Sequence, residues 1–244
     1  MKIAVIGTGL IGSQVVRELA AAGHDAAGHS RSTGVDLLTG EGLDEALRGA
    51  QAVVDVSNSP TFDEASLDFF RTSVGNLLAA AAKAGVGHVV TLSIVGVDQV
   101  PELAYYRAKT LQENLVKAGS VPYSIVRATQ FMEFIPAVLD ATTDGDVVRL
   151  PSTPIQPISS AEVAAAVAEV ATGAPLRGTR NIAGPEVFPL DELGRITLEA
   201  TGDGRRVVTD DTAGLFAAAK GDVLTAPEGA HLATTRYRDW LRSR

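Results

Sequence analysis

The chain contains no cysteine. That excludes disulfides, thiolate metal sites and a cysteine nucleophile. Histidine is scarce. His24, His29, His88 and His231 show neither HxxxH nor HExxH spacing, so no metal site is expected. Asp140, Asp144 and Asp146 flank Gly145 but lack the later Glu of a calcium loop, and read as a polar turn. No GxSxG elbow is present, which disfavours a serine hydrolase. No apolar run reaches the roughly 18 residues of a membrane span. The opening run Met1-Lys2-Ile3-Ala4-Val5-Ile6 is broken by Gly7 too early for a signal peptide. Basic residues are outnumbered, giving a net charge of −8, which argues against a nucleic-acid surface. A cytoplasmic protein with a small-molecule partner, no nucleic acid and no membrane is expected, with homo-oligomerisation left open.

What is present is ordinary globular material. The chain has 244 residues, 45% hydrophobic and 20% charged, enough for one sizeable α/β unit. Short β-branched runs at 2–6, 26–30, 52–57, 88–93 and 123–127 alternate with helical spacing at 11–22, 43–47, 63–84 and 102–118. The strands lack polar alternation, so the sheet should be parallel and covered on both faces. Gly23, Gly85 and Gly119 follow helical runs and are read as C-terminal caps. After Leu150 the rhythm loosens around Pro151, Pro154 and Pro157. Helices are expected at 161–171, 190–200 and 231–241, with a short strand near 179–182. The fold class is therefore α/β, a Rossmann-type doubly wound parallel sheet with a small C-terminal substrate lobe. The whole chain, 1–244, forms one such domain, with 1–150 as the cofactor-binding core and 151–244 mainly the lobe.

The densest motif is Gly7-Thr8-Gly9-Leu10-Ile11-Gly12, a GxGxxG between the first strand and the first helix. Gly7 permits the turn, Gly9 admits a pyrophosphate to the backbone, and Gly12 lets the helix pack on the strand. The helix N-terminus beyond it offers free N–H groups to an anion. An NAD-type site wants an acid closing the second strand. Here that strand ends in His29-Ser30-Arg31-Ser32, where a guanidinium and hydroxyls suit a ribose 2′-phosphate. The cofactor expected is NADP(H), ahead of NAD(H), with Ser30, Arg31 and Ser57 among its ligands. Asp36 borders the adenine pocket or turns the chain.

A second constellation lies downstream. Tyr105 and Lys109 form a YxxxK pair, and at i and i+4 both project from one helix face. Ser93 closes the strand before them, at the sheet edge where α/β folds bind ligands. An ammonium favours tyrosinate, so Lys109 is expected to lower the phenol's pKa and let Tyr105 exchange a proton while a hydride moves. Ser93 would hold the substrate oxygen. Phe131, Met132, Phe134 and Ile135 line the substrate pocket or pack the lobe on the core.

With these residues in view, the sequence resembles the atypical or extended branch of the short-chain dehydrogenase/reductase superfamily. It is similar to NmrA-like NAD(P)-binding proteins and nucleotide-sugar epimerases. The resemblance rests on Gly7–Gly12, Thr91-Leu92-Ser93-Ile94-Val95-Gly96, the Tyr105/Lys109 pair, Arg127-Ala128-Thr129-Gln130-Phe131 and Ala183-Gly184-Pro185-Glu186. It implies an NADP(H)-dependent oxidoreductase with Tyr105, Lys109 and Ser93 as catalytic residues, Lys109 also binding the cofactor by orienting its ribose. It also implies a place for Ala128 and Thr129 beside the nicotinamide. Two departures stand out. The glycine loop is one residue shorter than the branch's GxxGxxG, and the helix expected to carry a relay asparagine reads Arg71-Thr72-Ser73-Val74-Gly75-Asn76. Members of the branch that bind NADP(H) as non-catalytic redox sensors supply an alternative, and an epimerase or dehydratase a third.

Overall fold

The apolar runs of the first half become strands. In the computed structural model, which describes residues 1–244, these are β1 (Lys2–Ile6), β2 (Asp25–His29), β3 (Ala52–Asp55), β4 (His88–Ile94) and β5 (Tyr123–Ala128). Between them run α1 (Leu10–Ala21), α2 (Leu43–Ala46), α3 (Ala65–Ala84) and α4 (Ala104–Ala118). The β1–β2, β1–β3 and β3–β4 pairs are all parallel. Strand order through these elements is β5-β4-β3-β1-β2, so the direction of travel reverses at β1. Ligands in such sheets sit beyond the carboxyl ends of the strands at that reversal.

The helices lie on the sheet because their apolar faces have nowhere else to go. Leu77, Ala80 and Ala81 of α3 and Leu43 and Ala46 of α2 pack with Ala4, Ile6, Val53 and Val89 of the strands. Each fully buried Val, Leu or Ile contributes roughly 1.5–3 kcal/mol relative to exposure. A second cluster joins Phe70 and Val74 of α3 to Ala108 and Val116 of α4 and Ile125 of β5. Gly85 terminates α3 at φ 70° with its N–H on the last turn, as its position suggested. Gly119 does not repeat this. It follows α4 in extended backbone, φ −68°, so the helix ends without a left-handed residue.

The remaining elements are α5 (Ile135–Ala141), β6 (Thr143–Asp144), β7 (Val147–Leu150), β8 (Pro154–Ile155), α6 (Ser160–Thr172), β9 (Thr179–Ala183), β10 (Phe188–Pro189), α7 (Leu190–Thr201), β11 (Arg206–Thr209), β12 (His231–Leu232) and α8 (Tyr237–Arg242). The large sheet has seven strands in the order β12-β9-β5-β4-β3-β1-β2. Small sheets β10-β8 and β11-β7-β6 complete the chain. By contact density two compact units form, Met1–Arg127 with Val163–Arg180, and Ala128–Glu162 with Asn181–Arg244.

The expected helix at 231–241 is corrected. Its first residues form β12 on β9, and the helix begins only at Tyr237. Glu162 accepts the backbone N–H groups of Thr234 and Thr235, at 2.7 and 3.1 Å, and holds that stretch extended. No helix is long and apolar enough to cross a membrane.

Candidate functional site

The glycine loop has the geometry its spacing requires. Gly7 takes φ 103°, and a Cβ there would meet Val56 O at 2.8 Å. A Cβ on Gly12 would lie 1.8 Å from Gly7 O, so only glycine lets α1 start this close to β1. Nothing lies within 4 Å of a Cβ on Gly9, leaving the loop's crest open to approach. No side chain caps α1, so Leu10, Ile11 and Gly12 present the first N–H groups of the helix.

The end of β2 is tied to this loop by hydroxyls. Thr8 Oγ1 donates to Ser30 Oγ at 3.0 Å, and Ser30 Oγ lies 2.8 Å from Ser32 Oγ. Ser30 N donates to Thr33 Oγ1, closing a capping box around the single turn Arg31–Thr33. The Arg31 guanidinium takes no ion pair within the chain and is left to a ligand.

A cavity of about 330 Å³ opens here, at the ends of β1, β2 and β3. Of the expected cofactor residues, Gly7, Ser30, Arg31 and Ser57 line it directly. His29 lines it too, its pKa lowered by burial and then by Lys2, so the imidazole favours the neutral form. Asp36 both lines the cavity and turns the chain, its carboxylate accepting Leu38 N at 2.8 Å. Asn76 is engaged with the 35–38 segment. Its Nδ2 donates to Leu37 O (2.8 Å) and Leu38 O (3.1 Å), fixing the cavity's far wall from α3. An open glycine crest, an uncapped helix and an unpaired guanidinium around one cavity fit a dinucleotide phosphate.

Tyr105 and Lys109 are each engaged elsewhere, and no hydrogen bond joins any two of Ser93, Tyr105 and Lys109. The Tyr105 hydroxyl donates to Asn58 Oδ1. Lys109 is buried, donates to Leu92 O at 2.8 Å and to Gln112 Oε1, and sits 5.0 Å from the centre of the Phe70 ring. Ser93 is buried facing Glu113 without closing a hydrogen bond of regular geometry. The expected lowering of the phenol is therefore reversed. Burial, and then Tyr106, push the Tyr105 pKa up. Burial carries the Lys109 ammonium down to about 8 against the opposing pull of Asp55 and Glu113.

Several residues of this region went unnoticed in the sequence. Asp55 ends β3 at 1% exposure and accepts Ser57 N (3.0 Å), Ser57 Oγ (2.6 Å) and Gln112 Nε2 (2.8 Å). Gln112 thus bridges Asp55 and Lys109. Glu113, also 1% exposed, takes both the Nε and an Nη of Arg127 at 2.7 Å, while Arg127 also grips Asp98 at 3.1 Å. Burial would raise the Glu113 carboxyl, but hydrogen bonds from Arg127 and Lys117 and the charge of Arg127 hold it below its ordinary value. A charge inside the apolar run at 52–57, and three polar residues on the buried face of α4, were the available signals.

Ala128 and Thr129 are buried at the start of the second unit, where Thr129 N donates to Ile182 O at 3.1 Å. Neither is among the cavity's lining residues. Met132 and Ile135 are fully buried, and Phe134 is exposed.

Residues 7–173, which hold this loop, the cavity and α4, match a family described as NAD(P)H-binding. The chain belongs to that family. Its cofactor is accordingly a nicotinamide dinucleotide. Among curated proteins, this NAD(P)H-binding chain is 31% identical over 172 residues to a (4-alkanoyl-5-oxo-2,5-dihydrofuran-3-yl)methyl phosphate reductase of Streptomyces griseus. The match takes in 66% of this chain but only 57% of that protein's length. Solved structures share the fold at low identity. An Escherichia coli NADPH-dependent quinone oxidoreductase in complex with NADPH superposes with TM-score 0.72 at 18% identity, covering 99% of each chain. A Staphylococcus aureus nucleoside-diphosphate-sugar epimerase gives 0.72 at 17%, over 99% of this chain and 100% of that one. Citrobacter triphenylmethane reductase with NADP(H) gives 0.67 at 20%, over 86% and 79%.

Proposed function

We propose that the chain is an NADP(H)-dependent oxidoreductase that reduces a small carbonyl compound, or runs the reverse oxidation of an alcohol. The observation that carries this reading is the Arg31 guanidinium, unpaired and set among hydroxyls on the wall of a cavity at the strand-order reversal. A guanidinium in that place grips a ribose 2′-phosphate bidentately, and no acid closes β2 to favour a free 2′-hydroxyl. The reductase of Streptomyces griseus, itself a matched relative, supports the direction.

Bound NADPH would supply a hydride to the carbonyl carbon. Tyr105 supplies the proton to the oxygen and is reprotonated from water. Burial and Tyr106 hold the Tyr105 phenol protonated but make it a weaker acid, so donation from it needs the developing alkoxide close by. Lys109 and Ser93 act from behind the phenol. Lys109 pins the end of β4 through Leu92 O, and Ser93, next in that strand, faces Glu113.

A panel of small carbonyls assayed for NADPH oxidation tests the reading. Turnover is expected, with Tyr105→Phe lowering kcat by about 10²- to 10⁴-fold, the usual worth of a positioned proton donor. Tight NADPH binding without turnover across the panel would instead establish the second reading, a redox-sensing regulator. The separate engagements of Tyr105 and Lys109 are what favour that alternative.

A further inference from the structure

Asn58 belongs to two settings at once. It lines the dinucleotide cavity with Gly7, Arg31 and Ser57, and its Oδ1 accepts the hydroxyl proton of Tyr105. Its Nδ2 has no partner within the chain. The phenol has no competing acceptor, and its ring is fixed by Phe62 (centroids 4.9 Å apart, 64° between planes) and by Phe70 at 6.3 Å. Charges on the packed segments are otherwise committed. Glu64 pairs with Arg107, Asp63 accepts from Thr61 and from Ala65 N, and Lys109 bonds Leu92 O and Gln112. Tyr106 adjoins on α4.

A carboxamide transmits polarisation. When its N–H₂ donates to a ligand oxygen, its carbonyl becomes a stronger acceptor. We propose that Asn58 is the positioning residue of Tyr105, coupling the phenol's hydrogen bond to occupation of the dinucleotide cavity. The proposal rests on the NADP(H) reading above. Burial of the phenol is consistent with a proton kept in place until substrate arrives.

The test needs no turnover. The chain is labelled with 3-fluorotyrosine, and the Tyr105 resonance is assigned by its absence in Tyr105→Phe. NADP⁺ binding to each variant is measured separately by calorimetry. Saturating NADP⁺ should shift the Tyr105 fluorine resonance in the wild type. In Asn58→Leu the resonance should sit elsewhere and lose its response at saturating NADP⁺. Asn58→Asp, nearly isosteric and able only to accept, should lose the response likewise, and it carries the test if the leucine variant does not fold. A wild-type resonance unmoved by bound NADP⁺, or an unchanged response in either variant, overturns the proposal. Failure of the oxidoreductase reading shows separately, as absent turnover beside an intact fluorine response. A chain that binds no NADP⁺ fails both.

Discussion

Arg31 illustrates what one side chain decides. It sits exposed at the end of β2 with hydroxyls around it and no carboxylate to neutralise it. Arg31→Ala should weaken NADP⁺ by about 1.5–3 kcal/mol, some ten- to a hundredfold, while NAD⁺ changes little. Titration calorimetry with both cofactors measures the difference, and equal losses would remove Arg31 from the 2′-phosphate site. His88 decides something different. It is buried at the start of β4 with Nε2 2.8 Å from Ser124 Oγ and no partner for Nδ1. Burial lowers its pKa below 6.5, so the folded chain favours the neutral ring. The unfolded chain then binds the extra proton first, and stability falls as pH drops through 6.5 toward the lower folded value. Melting temperatures from about pH 8 to about pH 5 should decline, and His88→Gln should flatten the slope without abolishing it, because His29 is shifted the same way. The geometry of Gly7 and Gly12 and the place of Arg31 on the cavity wall were legible in the sequence because they are local to a turn. Asn58 was not, since its meaning comes from Tyr105, 47 positions away.

At the scale of elements, helix faces and strand ends carry the site. Helix α4 was expected to present Tyr105 and Lys109 together. Both do lie beside the Phe70 ring, but the lysine turns inward to Leu92 O and Gln112. Spacing of i and i+4 fixes which residues share a face, and the neighbouring strand then selects each side chain's partner. Helix α3 shows the same division. Its apolar periodicity was readable, while the use of Asn76 depended on where the 35–38 segment settled. Asn76→Ala should free the Leu37 and Leu38 carbonyls and loosen the cavity wall. Affinity for NADP⁺ and for adenosine 2′,5′-bisphosphate should fall together, by roughly three- to tenfold for a net loss of about 1 kcal/mol in hydrogen bonding. Nicotinamide mononucleotide should be unaffected. A loss shared by all three ligands would point to general unfolding instead.

At the scale of the whole molecule, a chain of net charge −8 binds a polyanion. The attraction has to be local, and in the proposed site the loop N–H groups and Arg31 would provide it within a negative body. Binding to the folded form alone raises stability by mass action. At about a hundred times Kd, NADP⁺ should add about 2.7 kcal/mol, raising Tm by roughly 5–10 °C for a chain of this size. Scanning calorimetry reads this directly, and an unmoved Tm would argue against a dinucleotide site. Six strands of the large sheet were foreseeable from alternating strands and helices, whereas its edge strand β12 and the three-stranded sheet β11-β7-β6 were not. Its outer strands have two and four residues, and β11 lies more than 50 positions beyond β7, so no local pattern announces the pairing.

The absence of cysteine and of metal-spaced histidine, the glycine loop, and the basic end of β2 were determined by the sequence itself. They depend on residue type and on spacing within one turn, which the backbone converts into geometry without outside help. The partners of Tyr105, Lys109 and Ser93 were decided only by the tertiary structure. The phenol and the ammonium, withdrawn from water, had to find an acceptor wherever packing placed one, while the serine hydroxyl closes no regular hydrogen bond. Packing placed Asn58 by the phenol, Gln112 by the ammonium and Glu113 by the serine.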